Sequence, residues 1–275
     1  MTPRPVVYDV VILGAGLAGL TLARHLLLET DRRILVLDRR DPVPSSRQKV
    51  GESSVQVGGY YYSRVLDLEE DLWRHHYMKY NLRFYWRTAG SDNRRFEDYS
   101  QAYIRHFSNI PSYQLDRNVF ERDLLNRTRA SDRFSMTRGV RRLAVDLRDD
   151  GPHRVRFHHG DELREIEGTW VVDCTGRNKV LAKQLGLRKT NPVRHAAVFW
   201  WVDGLVDIDR LTDLTPGEIR KKPQRRHQGH LPTWLATNHF CDEGLWFWVI
   251  PLQGKTSLGL VFDKDLVDFE VRDVL

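Results

Sequence analysis

VYDVVILGAGLAGLTLARHLLLE, residues 7–29, changes character twice along its length. It opens with a near-continuous apolar run, the pattern of a strand buried on both faces of a parallel sheet. It closes with apolar residues recurring along one helical face. Between the two stand Gly14, Gly16 and Gly19, a GxGxxG array. The first glycine permits a tight turn, the second lets the backbone approach a pyrophosphate, and the third allows close helix–strand packing. RILVLD (33–38) supplies a second strand, so residues 7–38 predict one right-handed βαβ unit. The helix start offers N–H groups and a positive dipole end to phosphates. Asp38, ending the second strand, is placed to accept a ribose hydroxyl. The motif follows a strand, opens a helix and has its acid at the expected offset. That context predicts dinucleotide binding through Gly14, Ala15, Gly16, Gly19, Asp38 and neighbouring Arg39.

The chain has 275 residues, 41% hydrophobic and 29% charged, enough for one or two cored domains. Forty-three Lys and Arg against 37 Asp and Glu leave a formal charge of +6. The surplus reads either as an arginine-rich solvated surface or as attraction for anionic ligands such as nucleotide phosphates or acidic partners. It is scattered in short pairs such as Arg32–Arg33 and Arg141–Arg142, and no long basic run argues for nucleic acid. Cys174 and Cys241 lie far apart in different contexts, so neither a disulfide framework nor a cysteine zinc site is expected, and a cytoplasmic location is. His75–His76 and His158–His159 lack ligand spacing; no metal is predicted, and they read as surface or packing residues. Val10–Ala23 has no good cleavage site for a signal peptide, and no stretch is long and apolar enough to span a membrane.

Further along, residues 55–79 read as helical. KYNLRFYWR (79–87) alternates as a half-buried strand, with Lys79 and Arg83 on one face. Asp116 is a plausible N-cap for the helix in DRNVFERDLLNRTRA. Short strands fill 134–172 with turns at RDDGPH and HHGDE, and the last ends in the turn of TWVVDCTG. Beyond Asn191, strands at 195–202, 244–250 and 256–262 predict a second sheet. The expected fold is α/β: a Rossmann-like domain over 1–80 and 108–190, and a mainly antiparallel sheet domain over 81–107 and 191–275.

Four segments carry a resemblance: KVGESS (49–54), YQLDRNVFERDLL (113–125), VVDCTGRNKVLAKQLGL (171–187) and WFWVIP (246–251). Together they resemble the FAD-dependent halogenase and monooxygenase superfamily. WFWVIP matches the W-x-W-x-I-P signature of the flavin-dependent (tryptophan halogenase-like) halogenases at Trp246, Trp248, Ile250 and Pro251. Taken alone that segment reads better as a core strand with two indoles on one face; beside the other three segments it reads as the signature.

The resemblance implies FAD as cofactor, held by the glycine loop, Asp38 and Arg39 with Val50, Gly51, Ser53, Arg117, Asp173 and Gly176. It implies that Glu52 lies close to the isoalloxazine, and that the WFWVIP residues line a tunnel and keep substrate from the flavin. It implies further that flavin hydroperoxide oxidises chloride or bromide, and that a lysine holds or carries the hypohalous acid to an aromatic substrate. The lysine falls at Lys79, with Lys49 the weaker alternative and an ordinary solvated lysine the bland reading. A haloamine route needs the neutral amine, which burial or a nearby positive charge would favour. Asp173 is followed by Cys174, so the Asp-Gly pair of NAD(P)H-linked hydroxylases is missing, and no second GxGxxG occurs. Reduced flavin would then come from a separate reductase. The substrate, a tryptophan, phenol or pyrrole, is left open, as is whether it is free or tethered to a carrier protein. Family members run on past W-x-W-x-I-P through a Gly-Asp flavin motif and substrate-covering helices, so the resemblance implies a sequence incomplete at that end. The alternatives are a monooxygenase that hydroxylates on the same scaffold and a non-catalytic flavoprotein remnant.

Overall fold

A computed structural model describes residues 6–103, 109–225 and 232–268. In chain order the strands are β1 Val7–Leu13, β2 Ile34–Leu37, β3 Tyr77–Met78, β4 Leu82–Trp86, β5 Ser100–Tyr103, β6 Tyr113–Gln114, β7 Phe134–Thr137, β8 Val140–Asp146, β9 His153–His159, β10 Glu162–Asp173, β11 His195–Asp203, β12 Thr237–Asp242, β13 Leu245–Leu252 and β14 Lys255–Asp263. The helices are α1 Leu17–Glu29, α2 Gln56–Tyr60, α3 Glu69–His75, α4 Arg117–Arg129, α5 Val180–Gln184 and α6 Pro216–Ile219. Among the described residues, no helix is long and apolar enough to cross a membrane.

The chain forms two compact units. The first comprises Met1–Arg47, Val65–Leu68 and Asn118–Thr190. Its sheet runs β7-β2-β1-β10-β9-β8, parallel as far as β10 and antiparallel from there on. Val10–Leu13 and Ile34–Leu37 are buried along their whole length, as apolar runs covered on both faces should be. Val11, Leu13, Leu35, Leu37, Val155 and Phe157 share one core. α1 buries Leu20, Ala23 and Leu27, and Gly19 brings the helix against the turn. A Cβ on Gly19 would stand 1.9 Å from the Gly14 carbonyl oxygen, so only glycine permits this approach.

The second unit comprises Gln48–Arg64, Glu69–Arg117 and Asn191–Leu275. Its main sheet runs β11-β14-β13-β12-β4-β5, antiparallel except between β12 and β4. One face carries the aromatic core of Tyr85, Phe96, Ile208 and Val249. The other presents Trp248, Ile250 and Leu252 with Phe199 and Trp201.

Three expectations are corrected. The boundaries differ, because among the described residues 48–64, 69–80 and 109–117 belong to the second unit. Ser53 bridges Gln114, β3 pairs with β6, and both Ser53 and Gln114 hydrogen-bond Thr237 on β12. The helix over 55–79 is broken: α2 passes into a π-helical turn over Tyr61–Val65, Asp67 adopts a φ of 53°, and α3 ends at His75. Lys79 lies outside β4, because Asn81 with a φ of 91° interrupts the alternation before Leu82.

Gly19→Ala should lower the unfolding temperature by roughly 5 °C or more, since the added methyl meets backbone rather than a movable side chain. Circular dichroism melting checks this; an unchanged melt would show that the helix can retreat at no cost.

Candidate functional site

In the first unit the glycine turn is fixed from two sides. Gly14 has a φ of 107°, and its N–H donates to the Leu37 carbonyl at 2.7 Å. Asp38 accepts from the Ala15 N–H at 2.6 Å and, through its other oxygen, from the Arg40 N–H at 2.7 Å. Asp38 therefore first holds the loop, and each oxygen keeps a lone pair for a further donor. A Cβ at Gly16 would meet nothing within 4 Å, and no side chain caps α1. Open space beside an uncapped helix start is what a pyrophosphate requires, so these residues fit a dinucleotide.

Arg39 is exposed beside the turn. Asp173 accepts from the Thr175 N–H and hydroxyl and from the Leu181 N–H. Burial pushes its pKa up, but these bonds outweigh burial and hold the carboxyl below its ordinary range. Gly176, at a φ of 59°, has open space where a Cβ would be.

In the second unit Gly51–Ser54 is tied to the strand ahead of α4. The Leu115 N–H donates to the Glu52 carbonyl at 2.6 Å, and the Ser54 N–H donates to the Tyr113 carbonyl at 2.9 Å. Arg117 donates from Nη1 to the Val50 carbonyl at 2.9 Å. A Cβ on Gly51 would stand 2.9 Å from that nitrogen. Val50 itself is exposed. Glu52 is 2% exposed. One carboxylate oxygen accepts from the Trp201 indole at 2.7 Å and the other from the Ser257 hydroxyl at 2.6 Å. Burial raises its pKa; the Ser257 and Trp201 bonds and Lys255 pull it back, while Asp116 pushes it up.

Adjacent Ser53 turns the other way. Its hydroxyl lies 2.7 Å from that of Thr237 and accepts from Lys79 Nζ at 3.0 Å. Lys79 also donates to the Ser54 carbonyl and is 8% exposed. Burial lowers the amine's pKa to about 8. The cause is burial and not Arg83, which reaches over the Tyr103 ring at 4.8 Å and shares the face of Tyr85. His239, two residues past Thr237, stacks on Phe84 at 5.0 Å and has its pKa lowered to about 4, by burial and then by Lys79.

The WFWVIP segment is the core of β13. Trp248 pairs with Gly259, and a Cβ there would stand 2.2 Å from the indole ring, so the indole lies flat over the glycine. Its N–H donates to the Ser257 hydroxyl at 3.3 Å. Trp246 meets His195 edge-on at 6.0 Å, and Ile250 and Pro251 are buried.

Sequence reasoning missed Trp201, Ser257, Thr237 and His239, along with the strand β12. Asp116 precedes α4 as expected, and its carboxylate pairs with Lys255 at 2.6 Å. A serine inside the apolar alternation of β14 was the available signal, since a buried hydroxyl needs a partner.

The family model described as FAD dependent oxidoreductase matches residues 9–213. The chain belongs to this family. It is 28% identical to the flavin-dependent halogenase chlA of Dictyostelium discoideum, over 94% of this chain and 46% of that protein. It is 28% identical to the 1H-pyrrole-2-carbonyl-[peptidyl-carrier protein] chlorinase of Pseudomonas fluorescens, over 94% and 56% respectively. The fold is similar to that of the halogenase PltM, with a TM-score of 0.74 at 17% identity, covering 97% of this chain and 54% of that one. The chain spans about half the length of the curated relatives it matches.

Lys79 makes stability depend on pH. An unfolded lysine keeps its proton to about pH 10.4, whereas the folded one loses it near 8. Between these values the unfolded state binds more protons, so stability rises as pH rises through the window. Urea midpoints of the protein and of Lys79→Met at about pH 7 and about pH 10 should show that rise shrinking in the variant. An equal rise in both would refute the assignment.

Proposed function

We propose that the protein is a flavin-dependent halogenase acting on an aromatic substrate, and that this chain carries its FAD-binding loop and its lysine. The observation that carries this reading is the buried Lys79 amine, held by Ser53 and Ser54 of the GESS segment and brought by burial to a pKa of about 8.

Gly14, Ala15, Gly16, Gly19 and Asp38 would hold FAD, with Arg39, Asp173 and Gly176 supporting the same loop cluster. Val50, Gly51, Ser53 and Arg117 form the fastened segment of the second unit. Bound in its reduced form, FAD would supply two electrons to dioxygen, the halide giving up the other two as it becomes hypohalous acid with release of water. We propose that the reduced flavin is supplied by a separate reductase.

Lys79 works from its own protonation state. As an ammonium it donates to hypohalous acid. As a neutral amine it forms an N–halogen bond and releases water. The aromatic carbon takes the halogen as the O–halogen or N–halogen bond breaks, and its proton leaves with the hydroxide as water or returns to the Lys79 amine. Glu52 holds its carboxylate among indole and hydroxyl donors. Trp248 and Ile250, with half-buried Trp246, share one face of β13 and would make a rigid apolar wall that excludes water and bulky substrate, while Pro251 is buried on the opposite face. Two relatives bear on substrate: the pyrrole-carbonyl chlorinase acts on a ring tethered to a carrier protein, and PltM has been crystallised with phloroglucinol and FAD. A phenol or pyrrole, free or carrier-bound, is the substrate class proposed.

Incubation with reduced FAD, oxygen and a panel of phenols, pyrroles and indoles, with and without bromide, tests this. A brominated product seen by mass spectrometry only with bromide is expected. A hydroxylated product insensitive to bromide would instead establish the monooxygenase reading. Lys79→Ala should abolish bromination while a free dye still traps hypobromous acid; undiminished bromination would remove Lys79 from the mechanism.

A further inference from the structure

The residues that hold Glu52 form a continuous path from the GESS segment to the WFWVIP strand. Trp248 Nε1 donates to Ser257 Oγ at 3.3 Å, and Ser257 Oγ donates to Glu52 Oε2 at 2.6 Å. Trp201 Nε1 donates to Glu52 Oε1 at 2.7 Å. Behind Trp201, Lys255 Nζ stands 3.5 Å from the ring centroid and pairs with Asp116 at 2.6 Å. Ser257 is wholly buried, Glu52 is 2% exposed and Trp248 is 6% exposed.

The directions of these bonds are fixed. An indole can only donate, so Ser257 must accept from Trp248. Its single hydroxyl proton is then free for Glu52 alone. The strand register makes the convergence possible. Ser257 pairs with Ile250 on one side and Trp201 on the other, so Trp201, Ser257 and Trp248 project from one face of three adjacent strands.

We propose that Ser257 and Trp201 are positioning residues that fix the Glu52 carboxylate, and that Glu52, through Ser257, sets the orientation of the Trp248 indole. Two indoles on different strands thereby answer to one carboxylate. The charged groups acting on Glu52 are Asp116, ahead of α4, and Lys255, on β14. Protonation of Glu52 removes an acceptor from one oxygen. Where the proton sits on Oε2 the carboxyl donates to Ser257, whose own proton must turn to another acceptor, and the Trp248 N–H then meets a reoriented oxygen. The geometry of this path stands independently of the halogenase reading. Its consequence, an apolar wall held rigid while oxidant is present, rests on that reading.

Indole N–H resonances in a ¹⁵N-labelled spectrum of the whole chain test the path without any cofactor. Trp201→Phe and Trp248→Phe assign the two peaks. Both should move with pH at one shared midpoint above the ordinary glutamate value, and neither should move that way in Glu52→Gln. In Ser257→Ala the Trp248 peak should cease to follow that midpoint while the Trp201 peak still does. A Trp248 peak that never titrates, or that still titrates in Ser257→Ala, would overturn the proposal. As a separate readout, Ser257→Ala should lower the ratio of brominated product to oxygen consumed at least severalfold. Loss of that effect alone, with the spectra as expected, would count against the halogenase reading and not against the path.

Discussion

A carboxylate removed from water must be met by donors, and much of the second unit is arranged around meeting one. Hydrogen bonds to a charged group contribute about 1.5–3 kcal/mol each, and stranding such a group costs more than a neutral one. Glu52 has an indole on one oxygen and a hydroxyl on the other. Those two donors come from β11 and β14, while the backbone of Glu52 is bound by Leu115. A loop, two strands and the approach to α4 are thus registered against a single side chain.

The first unit rests on a different constraint, the absence of a side chain. Gly14 and Gly19 let strand, turn and helix approach more closely than any Cβ allows, and Asp38 closes the turn through backbone donors. This half was legible in the sequence because its rules are local. Apolar runs, a glycine array and an acid at a fixed offset lie within residues 7–38 and depend on nothing distant. The turns at RDDGPH and HHGDE were legible for the same reason, and β8, β9 and β10 fall on either side of them.

The second half was legible only as motifs. GESS, Lys79 and WFWVIP stand out in the sequence, but nothing local says that Ser53 and Glu52 turn to opposite partners. Trp201 and Ser257 carry no local signal of their shared partner, because their role is created by register between strands far apart in sequence. β12 escaped because its alternation of Asn238, His239, Phe240 and Cys241 puts polar residues on both faces. Arg83 and Tyr85 are buried where Leu82 and Phe84 are only half-buried, since guanidinium stacking on Tyr103 replaces the aliphatic packing that periodicity assumes. The expected boundary near residue 80 failed because 48–64 pairs with a segment sixty residues on, a contact that composition does not reveal.

The flat seating of Trp248 over Gly259 ties two positions into one volume. The space that the indole fills is the space that residue 259 gives up. Any side chain added at 259 must be matched by a smaller ring at 248, and a smaller ring at 248 leaves a void that a side chain at 259 would refill. The two positions therefore behave as a single variable in sequence change, and the width of the apolar wall is set by the pair rather than by the tryptophan.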